Sequence, residues 1–394
     1  MKTFLLRFPH LGQGIFEILD DENIVKCKEV SKSWSFFMDG ERFFWKKIIQ
    51  KLIKNYDDFQ KSWNIAIKNA DVEMLKELGC VVKNFLSIHP SKKCLDKENC
   101  KHRSIPFSPL HLCAEFGSVF LCKFLLTILE DKNPINKADH GWTPLHDAAQ
   151  EGHLEVYMEL SNHLDTRNPV SDYHGSTPLH RAAHRGHLEI CLVALNQVTE
   201  KNPVDEKGGT PLHYAAEGGH LKVCQKIMEF LPHKNPRNNF GITPLHVVAI
   251  KGYIDIFKYI MSQIYDKDPM TDDGYTPLHK AAEYGHLDIC KFIMDQSTDK
   301  NPGGMFGDTP LHMAAKEGRS IVFDYIIKQV QYKNPPNLDG YTPLHRAAKG
   351  GHIEICKLIL VKVFNKSPIS DNGETPLDLA REMNHVDIIE LLSD

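Results

Sequence analysis

Along most of this chain the apolar and polar positions recur in one fixed order. A short run opens with Thr-Pro-Leu-His, passes through two small residues and stops at a glycine, as from Thr342 to Gly351. Leu344 and the pair Ala347-Ala348 lie three and four places apart, the interval of one helical face. Thr is a good helix N-cap, and Pro suits the first helical position because its missing N–H has no partner to lose there. The glycine nine places after Thr predicts a left-handed helix end. A second apolar run follows, as in HLEICLVALNQV from His187, again with helical spacing. A polar segment then leads to another glycine two places before the next Thr, which predicts a tight reversal.

This order repeats with a near-constant period. TPLH begins at Thr143, Thr177, Thr210, Thr243, Thr276, Thr309 and Thr342, SPLH at Ser108 and TPLD at Thr375, in steps of 35, 34 and then 33 residues. An Asn-Pro pair recurs in most copies, such as Asn235-Pro236 and Asn334-Pro335. Proline pushes the residue before it towards extended geometry, so the pair stops the second helix. Helices this short are marginal alone, so each pair must bury its apolar faces on the neighbouring pairs.

The period and the TPLHxAA core resemble the ankyrin repeat. The resemblance implies an all-α solenoid of nine repeats over residues 105–394, the last one a C-terminal cap, with β-hairpin fingers and a concave groove. It also implies that a protein partner sits on the finger tips and on the open face of each first helix. On that reading the candidate partner-binding residues are Trp142, Arg181, Tyr214, Phe240, Ile242, Val247, Ile250, Tyr275, Lys280, Tyr284, Phe306, Tyr341 and Arg346. Exposed aromatics and cations are the side chains that dominate protein interfaces.

The chain holds 22 histidines, many in repeat slots: eight close TPLH, among them His246 and His279, and five follow the helix-ending glycine. Equivalent histidines lie one repeat, about 10 Å, apart. A zinc ion needs its ligands at about 2 Å, so these side chains are expected to serve the scaffold and hold no metal. Cys122, Cys191, Cys224, Cys290 and Cys356 share a slot filled elsewhere by Phe257, Phe323 or Ile389, which marks a buried apolar position. Cys80, His89, Cys94, Cys100 and His102 lie outside the period, without a standard zinc spacing, and read as a solvated insertion. No nucleophile elbow, phosphate loop or metalloprotease motif appears, so neither catalysis nor a cofactor is expected.

The first hundred residues differ. SWNIAIKNADVEMLKELG, residues 62–79, fits the repeat loosely, so residues 58–104 read as a degenerate unit with an insertion. Before it, Ile15, Leu19, Ile24, Val30 and Trp34 recur at helical intervals, with breaks at Asp20-Asp21 and Asp39. Three short helices are expected over residues 1–57. The order Phe8-Pro9, Ile15, Leu19, Ile24, Val30-Ser31-Lys32-x-Trp34 and Trp45 resembles the F-box. That resemblance implies docking, through Phe8, Pro9, Ile15, Leu19, Ile24, Val30 and Trp34, on the small adaptor subunit of a cullin-type ubiquitin ligase. The repeats would then hold the substrate. The alternative is an ankyrin scaffold or inhibitor whose N-terminal helices only cap the array.

Charge removes other classes. A net charge of −4 over 394 residues offers no basic footprint for nucleic acid. No apolar run approaches the roughly 18 residues of a membrane span. The start, MKTFLLRFPH, is interrupted by Arg7 too early for a secretory signal, so an intracellular protein, cytoplasmic or nuclear, is expected.

Overall fold

The structure is a computed structural model that describes residues 109–393, apart from 118, 129–130, 137–140 and 172–173. Phe8, Pro9, Ile15, Leu19, Ile24, Val30, Trp34 and the Cys80–His102 cluster lie outside the described residues. The chain divides into two compact units, Met1–Thr199 and Glu200–Asp394.

In the first unit the helices run α1 (Pro109–Phe116), α2 (Val119–Ile128), α3 (Pro144–Glu151), α4 (Leu154–Asn162), α5 (Pro178–Arg185) and α6 (Leu188–Gln197). In the second they run α7 (Pro211–Gly218), α8 (Leu221–Phe230), α9 (Pro244–Lys251), α10 (Ile254–Gln263), α11 (Pro277–Tyr284), α12 (Leu287–Gln296), α13 (Pro310–Lys316), α14 (Ser320–Gln329), α15 (Pro343–Gly350), α16 (Ile353–Leu360), α17 (Pro376–Glu382) and α18 (Val386–Ser393). Each unit is a stack of such pairs. First helices pack on first helices, α1–α3–α5 in one unit and α7 through α17 in the other, more closely than second helices pack on each other. The fully buried Ala-Ala pairs, such as Ala281-Ala282 and Ala347-Ala348, permit that approach.

The local signals act as the sequence predicts. Thr243 before α9 is extended (φ −113°, ψ 164°), and Gly252 after it is left-handed (φ +81°). Asn384 takes that place in the last pair at φ +57°, as Asn can. The shared cysteine slot is core: Cys224, Phe257, Cys290, Phe323 and Cys356 are fully buried. Each large apolar side chain buried this way contributes about 1.5–3 kcal/mol.

The string around Asn-Pro does more than stop a helix. The Lys333 ammonium donates to the Ile327 and Val330 carbonyls at 2.7 and 2.6 Å, and Lys234 and Lys267 reach the Met228 and Met261 carbonyls. These are unpaired carbonyls at the end of a second helix. Asn235 and Asn334 then accept from the Leu245 and Leu344 amides at the start of the next first helix, at 3.1 and 3.0 Å.

The fingers differ from the β-hairpins implied by the ankyrin resemblance. Among the described residues the one antiparallel bridge is Asn136–Trp142, in the longest unit. In the second unit each finger is a tight turn closed by an N–H to the carbonyl four residues on: Asn238 to Ile242, Thr271 to Tyr275, Gly304 to Asp308 and Asn337 to Tyr341, all 2.8–2.9 Å. Among the described residues the bonding within a finger stops at this closure and the turn inside it, so no strand ladder is built. Fingers bond to each other instead: the amides of Asn239, Asp272, Met305, Leu338 and Asp371 donate to the carbonyls of Lys207, Phe240, Asp273, Phe306 and Asp339, at 2.9–3.1 Å.

Candidate functional site

Six of the histidines that close the TPLH motif are tied at both ring nitrogens. On the Nδ1 side the partner is the helix cap: at α11, the Thr276 amide donates to Nδ1 of His279 at 3.1 Å. An amide can only donate, so the ring proton sits on Nε2. That nitrogen donates to the Asp308 carbonyl of the next finger at 3.1 Å. His146, His213, His246, His312 and His345 make the same pair of bonds, the last three to the carbonyls of Tyr275, Tyr341 and Glu374. Burial holds these rings neutral: His146 is driven down to about 3, and His213, His246, His279 and His312 to about 4. The histidines after the helix-ending glycine reach backwards. His187, His286 and His352 donate Nε2–H to the Gln150, Ile250 and Lys316 carbonyls at 2.7–3.1 Å, where the preceding first helix ends. Burial pushes the thiols of Cys122, Cys224, Cys290 and Cys356 up to about 12, far from the thiolate that metal binding or nucleophilic attack needs.

With those groups committed to the scaffold, the remaining chemistry lies on first helices and fingers. In the first unit the Arg181 guanidinium sits 4.6 Å over the Trp142 ring and donates to the Ser176 hydroxyl at 3.0 Å. In the second, the Tyr214 hydroxyl donates to Asp205 at 2.8 Å. Lys280 lies 2.8 Å from Glu283 and 5.0 Å from the Tyr275 ring centre. Arg346 lies 5.3 Å from the Tyr341 ring centre and donates to both oxygens of the buried Asp308 at 3.3 Å. Asn337 adds a bond to Asp308 at 3.2 Å, and Tyr341 donates to Glu374.

Five of these residues meet around one cavity. Tyr275, Lys280, Glu283, Asp308, His312, Met313, Lys316 and Arg346 line a cavity of about 200 Å³. Small-molecule sites run to about 300–1,000 Å³, so this volume suits a protein side chain better than a cofactor. Its walls pre-order charge of both signs at little further cost in side-chain entropy.

The structure thus brings together Tyr275, Lys280 and Arg346, with Tyr341 beside them. Phe240, Tyr284 and Phe306 stand exposed elsewhere, whereas Ile242, Val247 and Ile250 are half-buried. Sequence reasoning passed over Asp308, Glu283 and Lys316. One signal existed for Asp308: an acid occupies the place before Thr where Tyr275, Tyr341, Trp142 and Ile242 stand in other copies.

Among the described residues no group of three or more His, Cys, Asp or Glu is placed to hold a metal, and no helix is long and apolar enough to cross a membrane. Over 54 residues the chain is 44% identical to the Transient receptor potential cation channel subfamily A member 1 of Homo sapiens. That stretch is 14% of this chain and 5% of the channel subunit, so the likeness covers a small part of either. The family described as Ankyrin repeats (3 copies) matches residues 63–168, 159–230, 226–303, 264–337, 295–367 and 311–394. These matches span well over half of the sequence, and the paired helices, capped by Thr and closed by glycine, repeat at the same period: the chain belongs to the ankyrin repeat family.

Proposed function

We propose that this chain is a non-catalytic, intracellular protein that holds a protein partner on the first-helix and finger face of its repeats. The observation that carries this is the cavity between α11, α13 and α15. Its cations and carboxylates are positioned by one another and by Tyr275 and Tyr341, while the histidines and thiols that could do chemistry are consumed by the scaffold. The partner-binding residues are those named from the sequence, extended by Asp308, Met313 and Lys316.

The finer reading adds a ligase role. Residues 1–57 form an F-box-like helical domain that docks the small adaptor subunit of a cullin-type ubiquitin ligase, residues 58–104 link it to the array, and residues 105–394 present the substrate. Support comes from the order of Phe8-Pro9, Ile15, Leu19, Ile24, Val30 and Trp34. The test is capture of purified adaptor by the full-length chain. Capture that is lost on Pro9→Ala with Ile15→Asp supports the ligase role. No capture by the unsubstituted chain leaves a scaffold or inhibitor. For the array, Phe240→Ala with Tyr275→Ala is expected to weaken partner binding while the circular dichroism spectrum stays unchanged. Unaltered affinity removes this face from the site.

A further inference from the structure

The finger edge of the second unit carries apolar side chains that no part of the fold uses. Met305, Phe306 and Leu338 are 61, 51 and 70% exposed. They are contiguous: the Leu338 amide donates to the Phe306 carbonyl, and the Leu338 Cγ lies 3.3 Å from where a Cβ on Gly307 would stand. Packing of finger on finger does not account for them, because it leaves at least half of each side chain in water. Exposed apolar groups gathered in one place mark a surface that is covered in use.

The same edge has an unbalanced sign. The Met305 amide bonds to the Asp273 carbonyl, and the Asp371 amide to the Asp339 carbonyl, so three carboxylate-bearing residues flank the apolar cluster. Asp272 is held by Arg237 at 2.9 Å. Among the described residues no cation lies within ion-pair distance of Asp273, Asp339 or Asp371.

We propose that this edge docks a basic segment of a partner protein carrying large apolar anchors. Its apolar side chains seat on Met305, Phe306 and Leu338, and its Lys or Arg residues meet Asp273, Asp339 and Asp371. This rests on the reading that the repeats hold a protein partner, and it names the chemistry of that partner. These residues lie on four fingers a repeat apart, which span roughly 30 Å. About nine extended residues or about 20 helical ones cover that distance. Nucleic acid and anionic lipid have the wrong sign for these carboxylates.

The test uses the full chain with a photo-crosslinking p-benzoylphenylalanine replacing Leu338, and separately Met313 in the cavity, in extract of the source cells. The expected product at position 338 is a segment of another protein in which Lys and Arg outnumber Asp and Glu, with two or more large apolar residues in about 20. That segment is then made as a labelled peptide and titrated by fluorescence anisotropy against the unsubstituted chain. Phe306→Ser with Leu338→Ser, and Asp273→Asn with Asp339→Asn, are each expected to weaken binding about tenfold, the acidic pair less so in high salt. The circular dichroism of both variants should match the unsubstituted chain, since all four side chains face water. An acidic or neutral crosslinked segment, a segment of a second copy of this chain, or a change under about twofold in either variant overturns the proposal. Crosslinking at position 313 without any at 338 overturns it while leaving partner binding by the repeats intact. No crosslink at either position overturns both.

Discussion

His279 accepts from an amide on one side of its ring and donates to a carbonyl on the other, so protonation would set an N–H against an N–H. Stability is therefore tied to pH with a definite sign. In the unfolded chain these rings titrate near 6.5, and His213, His246, His279 and His312 in the fold near 4. Between those values the unfolded state binds protons that the native state does not. Stability is full above about 6.5 and falls towards pH 4, by up to about 1.4 kcal/mol per pH unit for each ring. Urea midpoints at pH 7, 6 and 5 should decline in that order; a flat profile would refute the tautomer assigned. His279→Ala strands a buried amide and a buried carbonyl, so a loss of about 3 kcal/mol is expected in the same assay. Asp308 offers a second case. Arg346→Leu leaves its carboxylate buried without its ion-pair partner, and a loss of a few kcal/mol follows. Asp308→Asn in the Arg346→Leu background should restore part of it.

Among the connecting elements, the finger glycines show how an element constrains its neighbour. Gly274 has φ +75°, and a Cβ there would stand 2.6 Å from the Met305 amide nitrogen of the next finger. Gly373 has φ +79° with nothing within 4 Å. Gly373→Ala should cost only the left-handed backbone, about 1–2 kcal/mol. Gly274→Ala adds a clash with backbone that cannot yield, so its thermal midpoint should fall further, and hydrogen exchange at the Met305 amide should quicken. Equal losses would mean that the finger-to-finger bonds contribute nothing. The lysine ahead of Asn-Pro and the asparagine after it act between elements too, closing a second helix and opening the next first helix.

The described residues are periodic, and periodicity has a testable consequence within the second unit. Removing Thr276–Asp308 joins Tyr275 to Thr309 in register, since the step there is 33 residues. Each pair stacks on its neighbours alone. The shortened chain should therefore fold with unchanged ellipticity per residue in the far ultraviolet, and it should lose partner binding because Lys280, Glu283 and Asp308 leave with the segment. A deletion shifted by half a period, cutting through a helix, should not fold. If both deletions fold alike, the helices are not a nearest-neighbour stack.

Much of this was legible in the residues. Thr-Pro, the two glycines, the Ala-Ala pair and the shared Cys/Phe slot each act through local backbone preference or the helical period, so they declare the helices and the buried face without tertiary information. The same period showed that the recurring histidines belong to the scaffold, because a repeat separates them by more than any metal could bridge. The backbone link from one fingertip to the next and the charge-lined cavity were not legible. They include partners 29 and 38 residues apart, Asn337 and Arg346 with Asp308, and depend on how closely one pair rides on the next. Nothing in a single repeat encodes that distance; it emerges when the Ala-lined first helices come into contact and bring three units' side chains to one place.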